Sequence, residues 1–222
     1  MKTKKLLAST LALLWLTFLC ACAEKNKPVN VSRGQAVAES MMGERIIRRA
    51  PRDFEPVFVF RDSMSPANRF FPTGWMGDVQ DITFNDNYRA DSRTGVSSIR
   101  IQYTPQGRNR WAGIYWQAPA NNWGDMPGGL NLTGASELIF WMRGETGFER
   151  IAEIKIGGLS GQYPDSDVAW LKDVHLTRQW RQYRIPLKGR DLSRIAGGFA
   201  IVVSRRDNPR GAVFFIDEVR FE

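Results

Sequence analysis

Residues 111–117 read WAGIYWQ, and their alternating pattern predicts a β-strand. Because successive side chains of a strand point to opposite sides, Ile114 and Trp116 share one face. The other face carries Trp111, Gly113, Tyr115 and Gln117. The first face is typical of a hydrophobic core, and the mixed second face is typical of an accessible sheet surface.

The same texture continues from Phe54 to the C-terminus, with dense aromatic and β-branched residues. Ile99, Ile101 and Tyr103 alternate in the same way, and no window of ten residues shows a convincing helical period. Turn-forming residues separate nine runs of strand length: PVFVFRD, DITFN, SSIRIQY, AGIYWQ, ELIFWMR, IAEIKIGG, WRQYRIPL, GFAIVVS and VFFIDEVRFE. Nine short strands in about 170 residues predict an all-β, two-sheet antiparallel β-sandwich of the jelly-roll kind.

The N-terminus has the pattern of a secretion signal. MKTKK precedes an apolar stretch of about 14 residues, shorter than the roughly 20 that a membrane-spanning helix needs. The following LCAC resembles a bacterial lipoprotein signal, with Leu19 and Ala21 placed for lipidation of Cys22; Cys20 fits worse because Leu19 precedes it. We therefore predict a signal peptide over residues 1–21, the alternative being a plain cleaved signal with incidental cysteines.

The mature chain has two parts by composition, a lipidated N-terminus with a basic linker (residues 22–52) and one domain (residues 53–222). Residues 24–52 hold seven Lys or Arg and three acids, whereas the domain holds 21 and 20. The excess of basic residues in this linker can contact anionic lipid headgroups near the anchor. The alternative is that the linker is only a solvated tether. The near-neutral domain gives no indication of nucleic acid. Without an aspartate after Cys22, an outer-membrane lipoprotein is expected, facing the periplasm or the cell surface.

Five segments resemble jelly-roll carbohydrate-binding modules and other galactose-binding-like domains. They are FFPTGWMGD (70–78), WAGIYWQAPANNWG (111–124), GGLNLTGASELIFWMRGE (128–145), WRQYRIPLKGRDLSRIAGGFAIVV (180–203) and the closing GAVFFIDEVRFE (211–222). The resemblance implies the sandwich fold and binding of a polysaccharide or oligosaccharide. It also implies a structural calcium between the first and last strands, with Asp62 and Asp217 as ligands; solvated carboxylates are the alternative.

The residue types suit a sugar, which offers a weakly apolar face and a rim of hydroxyls. The domain has seven tryptophans, more than a sandwich core uses. Strand alternation predicts a sheet face lined by Tyr115, Gln117, Arg143 and Glu153. Loop residues Trp75, Asn121, Asn122, Trp123 and Tyr163 are expected to close around it. Alternatively, PANNWG is ordinary turn chemistry and Trp123 caps the sandwich.

Catalytic signatures are sparse in the domain. It has one histidine, His175, and no cysteine, which excludes Cys–His catalysis and leaves one imidazole for zinc. A glycosidase needs only two carboxylates, for which Glu145, Glu149 and Glu153 are the candidates. The sequence thus favours non-catalytic glycan binding. The alternatives are an envelope structural or protein-interaction domain and, third, a glycoside hydrolase or lyase.

Overall fold

The computed structural model of the protein describes residues 54–222, which form a two-sheet antiparallel sandwich. The predicted fold class is confirmed. The strands are β1 (Val57–Phe60), β2 (Phe71–Gly77), β3 (Ile82–Tyr88), β4 (Ser98–Tyr103), β5 (Trp111–Gln117), β6 (Glu137–Gly144), β7 (Arg150–Gly157), β8 (Val168–His175), β9 (Arg181–Pro186), β10 (Gly197–Ser204) and β11 (Ala212–Phe221). A 3₁₀ turn, Val79–Asp81, joins β2 to β3.

Sheet A has six strands and sheet B has five. Sheet A runs β3-β4-β11-β6-β9, with β1 paired to the end of β11, and sheet B runs β2-β5-β10-β7-β8. Most neighbours in either sheet are distant in sequence, so the loops at the sandwich ends must cross between layers. Those loops decide which sheet surfaces stay open.

Two of these strands, β2 and β8, are absent from the nine runs that the sequence predicts. Both are edge strands of sheet B. An edge strand buries little, so the apolar alternation that marks a strand is weak there. In β2, Pro72 and Gly74 further disguise the strand, and a proline is tolerated at a sheet edge because its missing N–H faces solvent.

The core lies between the sheets and is rich in aromatic rings. The ring centroid of Trp116 lies 5.4 Å from that of Phe199, which in turn lies 5.3 Å from Phe140. Ile114 and Trp116 are almost fully buried, as their face of β5 predicts. Ile99, Ile101 and Tyr103 are buried in the same way on β4.

Some expectations cannot be compared with this structure. The predicted signal peptide, Cys22 and the linker to residue 52 lie outside the described residues. Within residues 54–222, none of the helical segments is long and apolar enough to cross a bilayer.

Candidate functional site

The outer surface of sheet B is an accessible face built from register-aligned side chains. One row runs from Tyr115 through Ala200 and Lys155 to Trp170, across four neighbouring strands. The next row runs through Met76, Gly113, Val202, Glu153 and Lys172. We call this surface the open face, and Trp111 lies at its far end on β5.

Small residues keep the middle of the open face flat. At Gly113 an added Cβ would lie 2.7 Å from the Ile201 carbonyl oxygen, so only glycine fits there. Ala200 is fully buried beneath its neighbours. Gly113 is buried as well, so this floor lies beneath the taller side chains of the open face, and a ligand would contact those side chains.

Three partly exposed indoles surround this floor. The exposed fractions of Trp111, Trp123 and Trp170 are 37%, 40% and 49%. The Trp111 ring packs against Gly77 on the edge strand, and the Trp123 ring centroid lies 6.2 Å from that of Tyr115. From the strand spacing and rise, the backbones of Trp111 and Trp170 are about 20 Å apart across the sheet. That distance suits an extended chain better than a single ring.

Charged side chains alternate with the rings. The Glu153 carboxylate lies between two lysines, 3.8 Å from the Lys155 Nζ and 3.6 Å from the Lys172 Nζ. Lys172 also lies over the Trp170 ring, 5.4 Å from its centroid, and Lys155 lies 5.4 Å from the centroid of Tyr115. Such loose ion pairs leave donors and acceptors available to hydroxyl groups of a ligand.

Tyr115 and Gln117 occupy the predicted side of β5, but the prediction that they are accessible is wrong. Both are almost fully buried. The Tyr115 hydroxyl donates to the Gly157 carbonyl oxygen, and the Gln117 Oε1 accepts a hydrogen bond of 2.9 Å from Thr73. Burial, with a smaller contribution from Asp165 and Glu153, raises the pKa of Tyr115 well above its ordinary value. Alternation identifies the side of a sheet and cannot show that a loop covers it.

Two loops, residues 118–130 and 158–167, form that cover, which we call the roof. Asn122, predicted to contact the ligand, is 1% exposed. Its side-chain amide instead donates to the Met126 carbonyl oxygen and accepts from the Gly124 N–H. Tyr163 is half-buried and its backbone N–H donates to the Gly124 carbonyl, tying the loops together. Asn121 is exposed and its backbone N–H donates to the Thr73 hydroxyl. Trp123 therefore projects from a fixed loop.

Asp165 anchors the second loop of the roof. Its carboxylate accepts backbone hydrogen bonds from Leu159, at 2.9 Å, and from Ala196, at 2.5 Å. Burial raises the pKa of this carboxyl, although those hydrogen bonds oppose the shift. The roof thus stands as a rigid wall at one end of the open face.

Arg143 does not join the predicted site, because β6 belongs to sheet A. Its guanidinium forms an ion pair with Asp91 and lies 3.9 Å from the centroid of Phe215. Asp91 also accepts a hydrogen bond of 3.1 Å from the Trp180 indole. The β3–β4 loop, residues 89–97, thereby crosses the outer surface of sheet A, and we call it the strap. Alternation correctly places Arg143 on an outer surface, but of the other sheet.

Trp75 also lies away from the open face. It is in register with Ile114, on the core side of β2, and its ring packs edge-on against Phe84, 5.9 Å between centroids. Its exposed fraction of 38% arises at the open edge between the sheets. Of the nine residues predicted to bind sugar, Glu153 lies on the open face, and the exposed Trp123 and Asn121 and the half-buried Tyr163 lie on the roof beside it.

Asp62 and Asp217 do not fit the expected calcium site. The Asp62 Oδ1 accepts from the Val96 N–H at 2.8 Å, and the Asp217 Oδ2 accepts from the Arg93 N–H at 2.7 Å. Backbone N–H groups therefore point at the oxygens that calcium would require. Both carboxylates fasten the strap. Burial raises the pKa of Asp217 to about 6, although its backbone hydrogen bonds oppose the shift.

Sequence reasoning missed the aromatic and cationic residues that shape the open face: Trp111, Lys155, Trp170 and Lys172. Trp111 shares the alternation of Tyr115, so its position was available from the pattern. Trp170 and Lys172 lie on β8, which lacks a clear strand pattern. The cross-strand register, which brings them together, is a tertiary property.

Comparison with known proteins identifies the fold. No family model and no curated protein match the sequence. A solved family 30 carbohydrate-binding module is 15% identical, with a TM-score of 0.51 covering 76% of this chain and 98% of that one. Two further family 30 structures, one of them from a cellulosomal cellulase of Clostridium thermocellum, are 15% and 16% identical, with TM-scores of 0.48 and 0.47. They cover 77% and 76% of this chain and 88% and 97% of theirs. The resemblance to jelly-roll carbohydrate-binding modules is thus confirmed at the level of the fold.

Proposed function

We propose that the protein binds a glycan chain, without catalysis, on the open face. The observation that carries this proposal is the set of three partly exposed indoles on and beside the outer surface of sheet B, interspersed with Lys155, Glu153 and Lys172. Indole rings stack on the C–H faces of sugars, and the charged groups exchange hydrogen bonds with the hydroxyls. The fold of carbohydrate-binding modules supports the proposal.

The positions of the acids support binding rather than hydrolysis. Glu145 and Glu149 lie on the β6–β7 turn, whereas Glu153 lies on the open face. Glu149 is buried, and its carboxylate accepts hydrogen bonds from Thr146 and Gly147 of its own turn. Although burial opposes ionisation, these bonds hold the pKa of Glu149 below its ordinary value. A general acid needs a raised pKa instead.

We also propose that Cys22 anchors the protein to the outer membrane, so that the glycan is held at the cell envelope. The signal-like residues 1–21 support this placement. Replacing Cys22 with serine is expected to move the protein from the membrane fraction to the soluble fraction. Retention in the membrane fraction would contradict the anchor.

Affinity gel electrophoresis of the full chain, in a non-glycosidic detergent, against a panel of soluble polysaccharides tests glycan binding. Trp170→Ala is expected to abolish most of the retardation, because it removes the most exposed ring of the open face. Trp75→Ala is the matched control, since Trp75 has similar exposure but lies on the core side of β2. No retardation of the wild type by any glycan would overturn the proposal. It would favour a structural or protein-binding role instead.

A further inference from the structure

A second concave surface lies at the end of the sandwich opposite the roof, and it shares no lining residue with the open face. It is an open groove of about 930 Å³. Its walls are the β6–β7 turn, the β10–β11 loop and the ends of β4 and β11, and Arg178 closes one side. Its volume is within the range of small-ligand clefts.

The most exposed phenylalanine in the described part of the chain stands at the rim of this groove. Phe148 is 87% exposed, at the tip of the β6–β7 turn. The turn is well ordered by its own bonds: the Glu149 carboxylate accepts from the Thr146 N–H at 2.7 Å and the Gly147 N–H at 2.8 Å. An aromatic ring carried by an ordered turn at the rim of a groove can serve as a stacking surface for a ligand.

The opposite wall is equally fixed. Asn208 in the β10–β11 loop donates to the Arg150 carbonyl at 2.7 Å and accepts from the Arg150 N–H at 3.1 Å. These two bonds tie the loop to β7. The shape of the groove is therefore set before any ligand arrives, which lowers the entropy cost of binding.

The polar side chains of the groove are unusually free. Among the described residues, the side chains of Arg178, Arg210 and Glu145 have neither a hydrogen bond nor an ion pair. The Gln102 amide nitrogen is also unengaged among the described residues, since only the Gln102 carbonyl oxygen has a partner. The groove thus offers several donors and at least one acceptor beside an exposed ring.

We propose that this groove is a second saccharide site, which takes a neutral, hydroxyl-rich sugar segment. A hydroxyl both donates and accepts, so it suits a wall that mixes free guanidinium, amide and carboxylate groups. The groove is lined by two arginines and by three acids, Glu145, Glu149 and Asp207, so it has no excess of positive charge to favour an anionic ligand. Phe148 supplies the stacking surface. The site is separate from the open face, although the class of ligand is the same.

Saturation-transfer NMR on the full chain, with cellohexaose and mannohexaose as probes, tests the proposal. The starting variant is Trp111→Ala/Trp170→Ala, which disables the open face and leaves the groove intact. It is expected to retain saturation transfer to at least one probe. Adding Phe148→Ala should then reduce the transfer about fivefold or more, because the stacking surface is lost. Adding Phe71→Ala is the matched control, since Phe71 is a 49% exposed phenylalanine outside the groove.

The possible results separate the two proposals. If the tryptophan variant is folded but shows no transfer, the groove is not a saccharide site, while binding on the open face stands. If Phe148→Ala and Phe71→Ala act alike, the groove proposal also fails. If the wild type itself shows no transfer to either probe, both proposals fail for these sugars.

Discussion

The two outer surfaces of the sandwich differ in what the loops do to them. On sheet A the strap crosses the strands and buries Phe215 beneath Arg143, with Asp91 bonding Arg143 and Trp180. On sheet B the roof covers the end near Tyr115 and leaves Trp111, Trp170 and Lys172 exposed. The outer surfaces of the two antiparallel sheets therefore differ: polar contacts on sheet A fasten a loop, whereas similar residue types on sheet B remain at least partly accessible.

The largest expected effect belongs to the open face. Trp111→Ala/Trp170→Ala should weaken glycan binding about 30-fold or more, since each stacked ring contributes about 1 kcal/mol or more. Unfolding free energy should also fall, by about 2 kcal/mol or more, because about half of each ring is buried, so affinity is measured on the folded variant. Isothermal titration and urea unfolding of the same variant measure the two quantities. A variant that binds like the wild type would show that the indoles are not the platform.

On sheet A, the expected change is in stability and not in glycan affinity. Asp91→Ala leaves Arg143, whose side chain is 17% exposed, without its carboxylate, and should lower the unfolding free energy by about 2 kcal/mol. Glycan affinity should not change. Glu137→Ala is the control, since its partner Arg184 is 54% exposed and the loss should be about 0.5 kcal/mol or less. Reduced glycan affinity in Asp91→Ala would mean that sheet A takes part in binding.

The strap should also make stability depend on pH. The pKa of Asp217 is about 6 in the folded protein against an ordinary 3.8, because the carboxyl is buried. Between these pH values the folded state keeps a proton that the unfolded state releases, so stability falls as pH rises from about 4 to 6. The fall should be about 2 kcal/mol smaller in Asp217→Asn. The raised pKa of Asp165 affects the wild type and Asp217→Asn alike, so it does not contribute to the difference between their pH profiles. Equal pH profiles from urea unfolding would contradict this account.

The smallest effect is expected from calcium. Because backbone amides already engage Asp62 and Asp217, neither EDTA nor added calcium should shift the Tm by more than about 1 °C. Differential scanning fluorimetry of the wild type measures this directly. A calcium-dependent rise of several degrees that disappears in Asp62→Asn would restore the metal site.

The sequence by itself determined the fold class and the inward face of most strands. Ile114 and Trp116 on β5 are buried as their alternation predicts, because a buried face needs apolar residues at every second position. It also placed Tyr115 and Gln117 on the outward side. Trp123 and Glu153 were predicted as site residues from their chemistry, and the structure leaves both partly exposed on or beside the open face.

Tertiary structure decided the rest. The edge strands β2 and β8 bury too little to show a period, so Trp170 and Lys172 carried no signal of their position. Only strand pairing assigned Arg143 to sheet A and aligned Trp170 with Tyr115. Alternation specifies the side of a strand, whereas the sheet that it joins and the loop that covers it depend on contacts between distant parts of the chain.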